Sequence, residues 1–251
     1  MDLKNHYYYF KESIPKDTCE KIISLGEQLI KENKEKGVNT NAVTMGGEEK
    51  GGHNSGNFSL NDKTLEEIEK EVKSDDVYIR DSEVSWLNEQ WIYDLILPYV
   101  NTANESAGWK YEWDWAEQIQ FTKYGINQFY GWHMDGGGDH YSTYKRYIPG
   151  ITDLDKNGNI PMQYTDNINY IGKIRKLSLT LNLSKPEDYE GGNLKFDFGP
   201  HTPNKRFHLC EEIRPQGSII VFPSHLYHQV TPVTKGTRYS LVIWCLGKPY
   251  K

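Results

Sequence analysis

The stretch YHQVTPVTKGTRYSLVIW, residues 227–244, consists of two apolar runs that flank the turn-like segment PVTKG. The pattern predicts a β-hairpin centred on that segment, in which His228 and Arg238 lie opposite each other on one face. Strict alternation adds further side chains to this face: Ser240, Val242 and Trp244. A cation that points into a protein is costly unless an anion neutralises it, and the hairpin contains no acidic residue. The pattern therefore predicts a binding site for a small-molecule carboxylate beside a histidine.

A second motif lies upstream, in FYGWHMDGGGDHY, residues 129–141, where His133 and Asp135 are two positions apart. An H-x-D pair alone is common by chance. Together with His228, however, it makes a set of two histidines and one carboxylate, which suits Fe(II) and leaves coordination positions open. Arg238 adds the planar fork that pairs bidentately with a carboxylate. The four residues predict a metal centre beside an anion site.

Short alternating segments dominate the chain from about residue 111 onward. Seven of them are separated by turn signals and predict strands of a β-sandwich or barrel: WAEQIQFTKY, NQFYGWHMD, KLSLTLNLS, GNLKFDF, GSIIVFP, LYHQVTPV and TRYSLVIWCLG. Upstream, residues 15–33 and 84–106 predict helices, the second kinked or restarted near Pro98. The expected organisation is one α+β domain over residues 1–251, with helical support and a mobile loop in 1–110 and the β-core in 111–251.

Composition narrows the possible classes of protein. The chain has 251 residues and a formal charge of −6, which argues against a general nucleic-acid binder. Its three cysteines are far apart and form neither a disulfide framework nor a Cys-x-x-Cys zinc pair. The N-terminus lacks the apolar run of a signal peptide, and no window approaches the length of a membrane span. We expect a soluble, cytoplasmic protein with no nucleic-acid or membrane partner.

The combination of H-x-D, a distant histidine and an arginine ten positions later, on a strand-rich scaffold, resembles the Fe(II)/2-oxoglutarate-dependent dioxygenases. The segments LSLTLNLSKPEDYEGGNLKF and GSIIVFPSHLYHQVTPVTKGTRYSLVIW are similar to the prolyl 4-hydroxylase branch. This resemblance covers about residues 115–247. It implies a double-stranded β-helix, a distorted jelly roll, with the N-terminal helices packed against it.

The resemblance also implies roles for individual residues. His133, Asp135 and His228 would be the iron ligands, and Arg238 would hold the distal carboxylate of 2-oxoglutarate. Further side chains would line the cosubstrate pocket or lie near the metal: Tyr124, Thr180, Asn182, Ser240 and Trp244. Tyr124 and Trp244 could equally be plain core residues, and Asn182 stands where relatives carry a tyrosine.

The implied reaction is hydroxylation of an unactivated C–H bond, with O2 consumed, 2-oxoglutarate converted to succinate and CO2, and ascorbate as a reductant. Two long segments rich in Gly and Asn, 37–58 and 136–176, are typical of lids over a substrate. Lids of this length suit a proline-containing protein or peptide. The alternatives are an oxygenase acting on a free amino acid, a small metabolite or a nucleobase, and a non-catalytic jelly-roll binding module.

One motif within residues 136–176 resembles a different kind of site. DLDKNGNIPMQY, residues 153–164, begins like a calcium loop, but its twelfth position is Tyr164 instead of a bidentate Glu. Asx turns in a surface loop explain the same residues.

Overall fold

The computed structural model describes most of the chain: residues 5–42, 80–136, 169–170, 173–199 and 206–250. Several features expected from the sequence lie in other parts of the chain. The possible calcium loop lies outside the described residues, as do most of the two expected lids, 43–58 and 137–168. No helix among the described residues is long and apolar enough to cross a membrane.

Two antiparallel sheets form the core. The larger one has seven strands: β1 (Tyr8–Phe10), β3 (Glu83–Leu87), β4 (Trp115–Ala116), β5 (Ile119–Tyr124), β7 (Ile174–Asn182), β11 (Ile219–Pro223) and β14 (Arg238–Gly247). Its order is β1-β11-β7-β14-β5-β3, and β4 also pairs with β14. The seven segments with alternating sequence all contain strands, so that prediction is confirmed.

The smaller sheet has five strands in the order β10-β9-β12-β6-β2. Its strands are short: β2 (Arg80–Asp81), β6 (Phe129–His133), β9 (Leu194–Asp197), β10 (Phe207–Leu209) and β12 (Tyr227–Val230). A separate pair joins β8 (Tyr189–Gly191) to β13 (Val233–Gly236). Two facing antiparallel sheets with few helices are the expected double-stranded β-helix.

Two helices cover the outer face of the larger sheet: α1 (Lys16–Glu35) and α2 (Gln90–Ser106). The prediction of a helix from residue 84 was wrong at its start, because 83–87 forms β3, which pairs with β5. In that segment Ser85 and Leu87 are buried in alternation, as in a strand. Pro98 lies inside α2, which continues through it. The described part of the first 110 residues thus supplies three strands as well as two helices.

The largest hydrophobic core lies between this helical layer and the larger sheet. On β7 the leucines point outward into it: Leu177, Leu179, Leu181 and, just beyond, Leu183. Thr180, between Leu179 and Leu181, lies on the opposite side of the strand and faces the space between the sheets, as the alternation predicts. The helices therefore fix the position of the sheet whose other face carries the site.

Close packing between α1 and β5 depends on Gly26, because an added Cβ there would overlap the ring of Phe121. We expect Gly26→Ala to lower the free energy of unfolding by about 1–3 kcal/mol, since overpacking outweighs the gain in helix propensity. Urea denaturation measures this change. Ser24→Ala, on the exposed side of the same helix, is the control and should stay within about 0.5 kcal/mol of wild type.

The hairpin predicted for residues 227–244 was wrong. β12 belongs to the smaller sheet and β14 to the larger one, while β13 between them pairs with β8. Pro232 has no N–H to donate to a ladder, and its carbonyl accepts from the N–H of Gly192 instead. His228 and Arg238 therefore lie on opposite sheets and meet across the interior.

Candidate active site

Three ionisable side chains converge at one end of the smaller sheet. His228 on β12 pairs in register with His133, the last residue of β6, and Asp135 follows in the next turn. Nε2 of His133 lies 3.6 Å from Oδ1 of Asp135, and Nε2 of His228 lies 3.5 Å from Oδ2. All three residues are buried, and their ligand atoms lie within 4.8 Å of one another. In the part of the chain that the structure describes, this is the one such cluster that could hold a metal ion.

Hydrogen bonds orient both imidazoles toward the shared centre. Nδ1 of His133 lies 2.8 Å from the carbonyl oxygen of Gly131, and Nδ1 of His228 lies 2.9 Å from that of Leu226. If each Nδ1–H donates to its carbonyl, each Nε2 keeps a free lone pair for a metal. The ring of Tyr130 stacks on His133 with the ring centroids 3.5 Å apart, which restricts rotation of that imidazole.

The electrostatics favour the protonation states that bind metals. Burial, and then the neighbouring His228, lower the pKa of His133 to about 4. Burial alone would raise the pKa of Asp135, but the facing histidines and then Arg175 hold it well below its usual range. A neutral imidazole and an ionised carboxylate are the forms that coordinate divalent cations.

Across the cavity, Arg238 is 2% exposed at the start of β14. Its Nη1 lies 3.4 Å from the hydroxyl oxygen of Ser240, and its Nε is buried without a hydrogen-bond partner. The described residues supply no carboxylate within ion-pair distance of its guanidinium. A buried cation without a counter-charge is costly. The arrangement fits a bound ligand with a carboxylate group.

A turn that contains Gly192 packs closely against the side chain of Arg238. Gly192 has a φ of +58°, and an added Cβ would lie 2.9 Å from Cδ of Arg238. This turn belongs to the segment YEGGNL, residues 189–194, and lies between β8 and β9. The turn thus brings backbone close to the guanidinium without steric conflict.

A single cavity with about 470 Å3 of empty space, its open mouth included, connects the cluster and the arginine. Its lining contains most of the side chains that the resemblance implied: Tyr124, Thr180, Arg238, Ser240 and Trp244. Tyr124 pairs in register with Arg238, and Thr180 with Val242.

Asn182 does not line this cavity, contrary to expectation. Its side-chain amide donates to the carbonyl oxygens of Ser184 and Arg214, each at 2.9 Å. These bonds hold the amide at the end of β7, so its visible role is to secure the chain where it leaves the sheet.

Arg175 connects the metal cluster to the neighbouring sheet. Its guanidinium donates to both carboxylate oxygens of Glu117 at 2.6 Å, and Nη1 lies 3.5 Å from the carbonyl oxygen of Asp135. The same guanidinium lies 3.8 Å from the ring centroid of Trp244. Both members of this ion pair are buried. They fix the turn that carries Asp135 and the aromatic wall beside it.

Several residues of the cavity wall were not predicted from the sequence. Gln120 could have been found, because it shares the face of Tyr124 on the same strand. Tyr130 was hidden by an irregularity in the pairing of β6 with β12, which shifts the alternation. Arg80 comes from β2, a strand of only two residues with no periodic signal.

Comparison with known proteins agrees with this architecture. The family model of the 2OG-Fe(II) oxygenase superfamily matches residues 119–246. A PKHD-type hydroxylase of Klebsiella pneumoniae is 32% identical over 126 residues, which are 49% of this chain and 41% of that protein. This chain therefore spans less than half the length of that relative.

Two solved structures are similar in fold. A viral collagen prolyl hydroxylase from Paramecium bursaria Chlorella virus-1, in complex with 2OG, has a TM-score of 0.53 and 19% identity, with 97% of each chain covered. A Pseudomonas putida prolyl-4-hydroxylase has a TM-score of 0.53 and 15% identity, with 98% of this chain and 95% of that chain covered. With the matched family model spanning half of the sequence, the chain belongs to the 2OG-Fe(II) oxygenase superfamily.

Proposed function

We propose that this protein is an Fe(II)- and 2-oxoglutarate-dependent dioxygenase that hydroxylates a prolyl residue in a protein or peptide. The observation that supports it most is the pairing, in one cavity, of a buried His-Asp-His cluster with Arg238, a buried cation without a counter-ion among the described residues. The cluster offers three ligands on one side of a metal. The arginine offers a carboxylate site at the other end of the cavity.

The protein's own residues would bind the metal and 2-oxoglutarate, orient them, and shield the reacting atoms from water. His133, Asp135 and His228 would hold Fe(II), and Arg238 with Ser240 would hold the distal carboxylate of 2-oxoglutarate. When bound, the metal and 2-oxoglutarate supply the oxidising chemistry, with O2 consumed and succinate and CO2 released. The apolar walls exclude water from the reacting atoms. Ascorbate would serve as a reductant outside the catalytic cycle.

The prolyl assignment is supported by the names of relatives and by the mouth of the cavity. Both structures with similar folds are described as prolyl hydroxylases, and one of them as acting on collagen. Trp86, 47% exposed, lies 6.4 Å from Trp244 between ring centroids, so aromatic surface continues from the cavity wall to solvent. An extended peptide can lie along such a surface.

A small-molecule substrate is the second candidate, because a free amino acid or another metabolite could enter the same cavity through its open mouth. Nucleobase repair and a purely binding role have less support. The nucleobase repair branch usually carries a second arginine six positions after the first, where this chain has Trp244. A non-catalytic jelly-roll module has no need of a buried metal-ligand set.

A library of proline-containing peptides, incubated with protein, Fe(II), 2-oxoglutarate and O2, tests the assignment. We expect a subset of peptides to gain the mass of one oxygen atom on proline, together with stoichiometric succinate. The matched control is the same protein without 2-oxoglutarate. Succinate formation with free amino acids or metabolites, and none with peptides, would instead support the second candidate.

A further inference from the structure

A second arginine, Arg80 on β2, lines the cavity that holds the cluster and Arg238. It is partly buried and held by three neighbours. Nε donates to the hydroxyl of Ser82 at 3.2 Å, Nη1 lies 3.5 Å from Oε1 of Gln120, and the guanidinium lies 4.5 Å from the ring centroid of Tyr130. These contacts fix the side chain in place, and Nη2 makes no hydrogen bond to the described residues.

The acidic groups around Arg80 are engaged elsewhere. The carboxylate of Asp81, its neighbour in sequence, accepts from Nε2 of Gln128 at 2.8 Å. Glu83 pairs with Lys34 and faces Lys123. Asp135 faces the two histidines. Within residues 5–42, 80–136, 169–170, 173–199 and 206–250, Arg80 has no carboxylate at ion-pair distance.

With Fe(II) and 2-oxoglutarate bound, the charges in the site would balance except for that of Arg80. Fe(II) and Arg238 together would carry three positive charges, which the single charge of Asp135 and the two of 2-oxoglutarate neutralise. Arg175 and Glu117 neutralise each other. The charge of Arg80 then remains, in a partly buried site where an unbalanced cation is unfavourable. An anion that arrives with the substrate would balance it.

We infer that Arg80 binds a carboxylate of the substrate, and that the protein selects peptides with an acidic residue close to the target proline. This inference rests on the proposed function and adds a specificity determinant to it. The position supports it, because Gln120 pairs in register with Trp86 and thereby links Arg80 to the aromatic surface at the mouth. A peptide that follows this surface would pass the free edge of the guanidinium.

The test uses short peptides with a central proline and randomised flanks. Immobilised protein loaded with Mn(II) and 2-oxoglutarate, without oxygen, retains the peptides that bind, and mass spectrometry reads their composition. For wild type we expect Asp or Glu to be enriched over Asn and Gln at a fixed position by about tenfold, the effect of one charge-assisted hydrogen bond. Arg80→Gln should abolish this enrichment, and Arg80→Glu should replace it by enrichment of Lys and Arg.

Arg206→Gln is the matched control, because Arg206 is an exposed arginine that pairs with Asp197. This variant should select peptides as wild type does. Wild-type retention without acidic preference, or no retention at all, overturns the inference, and this outcome needs no variant. An unchanged preference in Arg80→Gln also overturns it. So does a loss of 2-oxoglutarate affinity in that variant without a change in peptide selection, because Arg80 would then hold the cosubstrate.

The same library separates this inference from the proposed function. Acidic peptides that are retained but gain no oxygen in air with Fe(II) would refute prolyl hydroxylation and leave the role of Arg80 standing. Prolines that are hydroxylated regardless of neighbouring acidic residues would refute the role of Arg80 and leave hydroxylation standing.

Discussion

His228→Ala is expected to weaken Mn(II) binding by more than about a hundredfold and to abolish any 2-oxoglutarate turnover. The variant removes one of three ligands and leaves His133 and Asp135 alone at the centre. Loss of a residue that merely supports a ligand already costs about 10–100-fold in metal affinity, so loss of a ligand should cost more. Equilibrium dialysis or electron paramagnetic resonance of Mn(II) measures the affinity directly.

The chain offers a matched control three residues away. His225 lies in the same segment, but its ring packs edge-on against Tyr250 with the centroids 6.1 Å apart, outside the cavity. His225→Ala should keep the Mn(II) affinity of wild type. Equal loss in both variants would show that the change disturbs the segment in general, and an unaffected His228→Ala would refute the metal centre.

Arg238→Ala is expected to weaken 2-oxoglutarate binding by about 1.5–3 kcal/mol, or about tenfold to more than a hundredfold in affinity. The reason is the loss of a charge-assisted, two-point contact with the distal carboxylate. Arg238→Lys should lose less, because a point charge remains while the planar fork is gone. Titration of 2-oxoglutarate into the Mn(II)-loaded proteins measures both changes.

Mn(II) binding should survive both substitutions, because Arg238 is not a ligand, and this retention serves as the check on folding. Arg206→Ala, which removes an exposed arginine, should bind 2-oxoglutarate as wild type does. If Arg238→Ala binds 2-oxoglutarate as tightly as wild type, another group holds the distal carboxylate and the cosubstrate assignment is wrong.

Period-two alternation was enough to predict the strands of the core, because a strand buried on one face repeats every second residue. On β7 the alternation also separated Leu177 and Leu179, which pack outward, from Thr180, which lines the cavity. It failed at 83–87, where a short strand runs into α2 and the apolar residues also fit a helix. The local pattern of apolar residues does not specify which strand pairs with which. Residues 227–244 were therefore predicted to form a hairpin, although the chain crosses there from one sheet to the other.

Site residues were predictable from the sequence where they lie close together in the chain or where the type of residue is unusual for its surroundings. His133 and Asp135 are two residues apart, and Arg238 stands out as a cation in an apolar run. The relation of His228 to Arg238 was predicted through a wrong pairing, yet both face one interior, because the two sheets enclose it. Arg80 depends on tertiary structure alone: it reaches the cavity from a two-residue edge strand distant in sequence.

We infer that one cavity binds one divalent metal through His133, Asp135 and His228, and then one 2-oxoglutarate that depends on that metal. Calorimetric titration of 2-oxoglutarate into metal-free and Mn(II)-saturated protein in the absence of oxygen tests this inference. We expect one Mn(II) per chain, one 2-oxoglutarate per Mn(II)-loaded chain, and much weaker binding of 2-oxoglutarate without metal. Binding of 2-oxoglutarate that is equal with and without Mn(II), or absent in both, would contradict it.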